Sequence, residues 1–173
     1  MKSFLPSMFY YGFPVVLLTT IDKDGNADVT PISCNFTLGA NAVIALVKLN
    51  KAYHNVMEVP EVVFNLPSAE MWEKVEAIAP YTAQNPVPPQ KVGKYAYTDD
   101  KFAIGGFTQL PSEKVRVPRI AECPIQAEAV VKQVNDRGTY ALIELEFVQV
   151  HAEDHLVMEE NKINPLAWEP LIY

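Results

Sequence analysis

The chain has 173 residues, 49% of them hydrophobic and 20% charged, with a formal net charge of −7. That length buries a sizeable core in one domain, and the acidic balance excludes the basic footprint that nucleic acid requires. The longest apolar run, "FPVVLL", is too short to span a bilayer, so no membrane partner is expected.

The first element in chain order is "PVVLLTTI" (14–21), β-branched and apolar on both faces, which predicts a strand covered on both sides. "DKDGN" follows as a turn. Residues 27–37 then predict a strand interrupted by Thr30, Pro31, Ser33, Cys34 and Asn35, where a core strand would carry Val and Ile. "NAVIALVKL" (41–49) is another apolar strand, and "KAYHNVMEV" (51–59) a short helix closed by Pro60. "EVVFNLP" (61–67) returns as a strand. Ser68 is placed to cap the helix "AEMWEKVEAIA", whose Met71, Val75 and Ile78 share one face.

The segment from about 80 to 106 is rich in proline and lacks periodicity, which predicts a long irregular loop with a functional or packing role. Two strands close the series. In "PIQAEAVVKQV", Ile125, Ala127, Ala129 and Val131 alternate with Gln126, Glu128 and Lys132, which predicts an outer polar face. In "TYALIELEFVQV", Ile143, Leu145 and Phe147 alternate with Glu144 and Glu146, and "NDRG" joins the two as a hairpin. Closely spaced strands with two short helices favour a closed antiparallel barrel in a single domain spanning 1–173.

Candidate chemistry is sparse. His151-Ala-Glu-Asp-His155 presents two imidazoles and two carboxylates at a strand end, but no third convergent ligand is visible, so it reads as a solvated loop. Cys34 and His54 form a conceivable nucleophile and base, yet no nucleophile signature surrounds the cysteine, which reads as a buried small hydrophobe. Gly105-Gly106 lacks dinucleotide-fingerprint spacing and reads as a turn. No catalytic residue is assigned. Two isolated cysteines and no recognisable signal peptide predict a reduced, cytoplasmic protein.

"VKLNKAYHNV" (47–56) is more informative. Lys48 and Lys51 flank a strand-to-helix junction in an acidic chain, and Asn50 stands where a helix N-cap belongs, a setting that favours phosphate.

The order "PVVLLTTIDKDGNADVTPIS", apolar strand, basic junction, "AYHNV", "EVVFNLP", with the later "RVPRIAECPIQAEAVV", resembles the flavin reductase-like family over about residues 10–150. The resemblance implies a mainly β, antiparallel split barrel that binds FMN, with FAD as a possible substitute. It implies that Thr30, Pro31, Ile32, Ser33, Cys34 and Asn35 lie along the flavin ring. Ser33 and Asn35 share one strand parity, and Thr30, Ile32 and Cys34 the other, so either set is open to meet the ring. Lys48, Asn50 and Lys51 would serve the phosphate end with the helix N–H groups, and Tyr53 and Asn55 are further cofactor-binding candidates. Ala52 stands where family members carry a hydroxyl. The implied function is a cytoplasmic, homodimeric flavoprotein oxidoreductase, taking hydride from NAD(P)H and passing electrons to an acceptor. The alternatives are a flavoredoxin-like electron carrier and a flavin-free interaction module. The apolar C-terminus "NPLAWEPLIY" predicts docking, with a partner subunit as the expected surface.

Overall fold

The computed structural model describes residues 1–6 and 9–173. One antiparallel sheet of seven strands organises it. β1 (Val16–Ile21) pairs on one side with β2 (Ala27–Ile32) and on the other with β5 (Glu61–Leu66). Next come β8 (Ile125–Asp136) and β9 (Tyr140–Ala152), then β4 (Asn41–Val47) and β3 (Asn35–Leu38), giving the order β2-β1-β5-β8-β9-β4-β3. The two end strands, β2 and β3, are consecutive in the chain. Ser33 and Cys34 carry it from the β1 edge to the β4 edge, where the Ala45 N–H donates to the Cys34 carbonyl at 3.1 Å. That step closes the sheet into a barrel, and the fold is the expected antiparallel split barrel.

The barrel interior is apolar. Val16, Leu18, Ile44, Leu46, Val62, Phe64, Ile143 and Leu145 all face it and are buried. Each such side chain stabilises the fold by about 1.5–3 kcal/mol relative to exposure. All six residues of β1 are buried, as a strand apolar on both faces requires. Val16 and Leu18 point inward, while Leu17 packs outside against Met71, Val75 and Ile78. Those three lie on the helix α2 (Trp72–Ile78) and its preceding turn. The helix α1 (Lys51–Glu58) plugs one end of the barrel with Ala52 and Val56. Ser68 stands at the start of the turn before α2 but makes no side-chain cap bond.

β8 departs from its alternating pattern, because Gln126 and Glu128 are buried as well as Ile125, Ala127 and Ala129. A strap of chain explains this. Residues 107–123, including the small pair β6 (Gln109–Leu110) and β7 (Arg119–Ile120), cover the outer face of β1, β5 and β8. Polar side chains of the barrel sew the strap down. The Glu128 carboxylate accepts from the Glu113, Lys114 and Val115 N–H groups at 2.9, 2.6 and 3.1 Å. Asn65 Oδ1 accepts from the Ile120 N–H at 2.7 Å, and the Thr19 hydroxyl donates to the Pro118 carbonyl at 2.7 Å. A charged residue is tolerated at full burial when its lone pairs are satisfied in this way.

Candidate functional site

Pro31 does not break its strand. It stays in register opposite Leu17, and β2 is an end strand, where a missing ladder donor costs least. The break comes two residues later. Ser33 and Cys34 belong to no strand, and neither amide N–H has an acceptor among the described residues. Both residues line a cleft of about 640 Å³, with Pro31, Ile32, Ala45, Val47 and Asn50. Strand parity therefore fails as a guide, since residues of both parities reach the cleft once the chain leaves extended pairing.

The long segment after α2 supplies the opposite wall with Thr82, Lys91 and Tyr95, and Trp72, Val75, Glu76 and Ala79 come from α2 and its end. That segment is mostly irregular, as its composition predicts, and ends in the short helix α3 (Lys101–Gly105), which Gly106 terminates at φ +61°. Leu171, Ile172 and Tyr173 complete the cleft with Tyr10. The C-terminal tail docks on its own chain. Leu171 bonds to Val15 and Pro67, and Tyr173 pairs in both directions with Phe13.

Lys91 is the cation of the cleft. It is 7% exposed, and its ammonium donates to Asn50 Oδ1 at 2.6 Å, the Thr82 hydroxyl at 3.1 Å and the Thr82 carbonyl at 3.2 Å. All three acceptors are neutral. Burial, followed by the charge of Lys101, pulls its pKa down from 10.5 to about 8. Asn50 is thus at the N-cap position of α1 without capping it, because its oxygen is turned to Lys91.

Thr30 is buried behind the wall, bonded to Asp28 and to Lys101 Nζ. Lys101 itself is 1% exposed and forms an ion pair with Asp28 at 2.9 Å. Asn35 donates to the Pro14 carbonyl at 3.1 Å and lines a neighbouring pocket instead of the cleft. Lys48 is paired with Asp136 at 2.5 Å, and Lys51 lies over the Tyr97 ring. Tyr53 packs against the barrel core, and Asn55 is buried with its amide on the Thr20 hydroxyl. Ala52 is fully buried in the barrel interior, so a hydroxyl there would face the core.

Cys34 is exposed rather than buried, because it sits on the link between sheet edges. Its thiol neighbours the Tyr10 phenol, and that second anion-forming group, with burial, raises the phenol's pKa. His151 is part of β9, not a solvated loop, and its Nε2 lies 2.7 Å from the buried Glu128 carboxylate. Lys91 and Lys101 escaped sequence reasoning because they stand in an aperiodic segment. The only available signal was lysine recurring within a proline-rich stretch.

The antiparallel split barrel thus carries a largely apolar cleft with amide donors unpaired among the described residues at one place and a buried lysine at another. The family model for the flavin reductase like domain matches residues 8–173, and the chain belongs to that family. It is 37% identical over 177 residues to YdfE, an uncharacterized protein of Bacillus subtilis (strain 168), covering 99% of this chain and 85% of the relative. Among solved structures, it is similar to the flavoredoxin of Methanosarcina acetivorans, with a TM-score of 0.80 and 18% identity over 99% of this chain and 85% of that one. The flavoredoxin of Desulfovibrio vulgaris (Miyazaki F) gives a TM-score of 0.78 at 18% identity, over 100% and 93% respectively. At such identities these likenesses establish the shared split-barrel fold.

Proposed function

We propose that this protein binds FMN in the 640 Å³ cleft and uses it as an oxidoreductase. The observation that carries the reading is Lys91, a buried lysine that among the described residues bonds only to neutral acceptors and lines the same cleft as the Ser33 and Cys34 amides, which have no acceptor among those residues. Burying an ammonium without a counter-charge is costly, and a phosphate arriving beside it removes that cost. The residues fit the group. Pro31, Ile32, Val47 and Val75 offer apolar contact to a planar ring system, while the Ser33 and Cys34 amides are donors for ring carbonyls. Lys91, Asn50 and Thr82 would hold the phosphate.

When bound, a flavin supplies the redox chemistry, and the protein supplies position, stacking and hydrogen bonds. In this reading NAD(P)H is the electron donor and a separate acceptor takes the electrons onward. The chain's own contribution is to orient the ring against the Ser33–Cys34 link and to exclude water with the C-terminal tail. We also propose a cytoplasmic homodimer. The free thiols of Cys34 and Cys123 suit a reducing compartment. The exposed Phe36 and Leu38 of the end strand β3, with Val148 and Val150 of β9, offer apolar surface to a second copy. No described helix is long and apolar enough to cross a membrane.

The test is the absorption spectrum of purified protein titrated with FMN, followed by stopped-flow mixing with NADH or NADPH. Saturable FMN binding and bleaching by a pyridine nucleotide would support the reading. Absence of any flavin affinity would overturn it, and FMN binding without reduction would favour an electron carrier.

A further inference from the structure

Lys91 differs in setting from the other lysines of the chain. Lys48, Lys101, Lys132 and Lys162 each pair with a carboxylate. Lys51 lies over the Tyr97 ring, and Lys74 donates to the Gly106 carbonyl. Lys2, Lys23, Lys94 and Lys114 are exposed. Among the described residues, Lys91 is the one lysine that lines the cleft of about 640 Å³, with its Nζ 4.9 Å from the centre of the Tyr95 ring. Glu76 is the one carboxylate side chain in that lining, and the bonds of Lys91 go to Asn50 and Thr82 instead. A small molecule that enters the cleft therefore meets a lysine without a counter-ion.

We propose that Lys91 is a modification site, acylated at Nζ by small acyl phosphates, and that the acyl group switches FMN binding off. The consequence rests on the flavin reading of the cleft, whereas the chemistry does not. A desolvated lysine in an apolar setting is activated as a nucleophile. Burial brings its pKa to about 8, so at pH 8 about half of it is free amine, against less than about one per cent of a lysine at 10.5. The reagent class follows from the same charge. Protonated Lys91 attracts a phosphoryl group, and the acyl carbon arrives one bridging oxygen away. In the reaction the amine lone pair of a deprotonated Lys91 attacks that carbon and a C–N bond forms. The bond from the carbon to the bridging oxygen breaks, phosphate leaves with the electron pair, and the surplus proton on nitrogen passes to water. The product is a neutral amide with a single N–H. It offers no charge to a flavin phosphate, while riboflavin has no phosphate to lose contact.

Acetyl phosphate is the probe. Flavin-free protein is treated at pH 8, with and without added FMN, and acetylation of Lys91 and of the exposed Lys94 is followed by peptide mass spectrometry. Lys91 should be acetylated at least tenfold faster than Lys94, and saturating FMN should slow Lys91 alone by at least tenfold. Protein acetylated at Lys91 should bind FMN at least tenfold more weakly, with its riboflavin affinity retained. Lys91→Arg keeps a charge and lacks the acylatable amine, so treatment should leave that variant's FMN affinity where it stood before. Acetylation of Lys91 no faster than that of Lys94, no protection by FMN, or undiminished FMN affinity after modification would each overturn the switch. Failure of untreated protein to bind FMN would strike at the flavin reading and take the switch with it. Selective acetylation of Lys91 in the flavin-free arm would still establish the modification site.

Discussion

The ammonium of Lys91 lies 2.6 Å from Asn50 Oδ1, joining two residues 41 positions apart at the mouth of α1. Asn50 is thereby drawn away from capping its own helix, and Lys91 is held charged in a buried place without a carboxylate.

Replacing Lys91 with Met should weaken FMN by about ten- to over a hundredfold, the equivalent of about 1.5–3 kcal/mol for a charge-assisted bond. Riboflavin, lacking the phosphate, should bind nearly as before. Lys48→Ala and Lys51→Ala should cost less, because Lys48 is paired with Asp136 and Lys51 lies over Tyr97. Paired titrations of the two flavins separate these cases, and equal losses for both ligands in Lys91→Met would refute the phosphate role.

The same lysine predicts a pH window. Its pKa of about 8 is below the ordinary 10.5, so in the free protein the charge is present below pH 8 and disappears as pH rises through it. A phosphate monoester takes its second charge at about pH 6. FMN affinity should therefore be greatest between about pH 6 and pH 8 and fall above it, while riboflavin affinity stays flat. For folding the sign is reversed. A lysine whose pKa is depressed in the folded state destabilises that state while charged, and this cost is relieved as pH rises from about 8 towards 10.5. Affinity measurements from pH 6 to 10 check both the window and its dependence on Lys91.

Lys101 and Asp28 form an ion pair at 1% and 2% side-chain exposure, tying α3 to the strand that leads into the cleft wall. Lys101→Met leaves a buried carboxylate uncompensated and should destabilise the fold by about 3–5 kcal/mol. The Lys101→Met/Asp28→Leu double variant should recover most of that, since paired apolar residues can replace a buried pair. Urea denaturation of the two single variants and the double variant measures it. A double variant no more stable than Lys101→Met would show that the charges are not coupled.

Glu128 anchors the strap through three backbone donors and His151, and those bonds hold its pKa below the usual carboxylate value against the opposing effect of burial. Because the folded pKa is depressed, the stabilisation is complete above the unfolded value near 4.5 and is lost as pH falls through the folded one. Glu128→Gln should cost about 1.5–3 kcal/mol at neutral pH, on the scale of hydrogen bonds to a charged group. The difference from wild type should shrink in acid. Denaturation curves at pH 7 and pH 3 would expose a pH-independent difference, which would rule out the carboxylate's charge as the cause.

Deleting residues 169–173 removes five main-chain bonds that hold the tail to Phe13, Val15, Pro67 and Ala69. It also removes Leu171, Ile172 and Tyr173 from the cleft wall. A lower melting temperature and weaker FMN binding should appear together. A truncated chain that keeps both would show that the tail is decorative.

The barrel was legible because its strands are short-range patterns: alternation in β9 and continuous apolarity in β1 each follow from which faces are covered. The interruption at 30–35 was visible too, since proline and small polar residues conflict with a core strand. Only the structure narrows it to Ser33 and Cys34, because Pro31 is accommodated at a sheet end whose position is set by pairing with β1 alone. Gln126 and Glu128 looked like an outer face, and only the strap laid across β8 buries them. The cleft's chemistry was the least legible part. Lys91 meets Asn50 across 41 residues, and Lys101 meets Asp28 across 73, from a segment whose course obeys no periodicity. Local sequence dictates strand and helix through backbone and burial preferences. Which buried lysine faces which acceptor depends on where an irregular chain is pinned, and tertiary packing alone decides that.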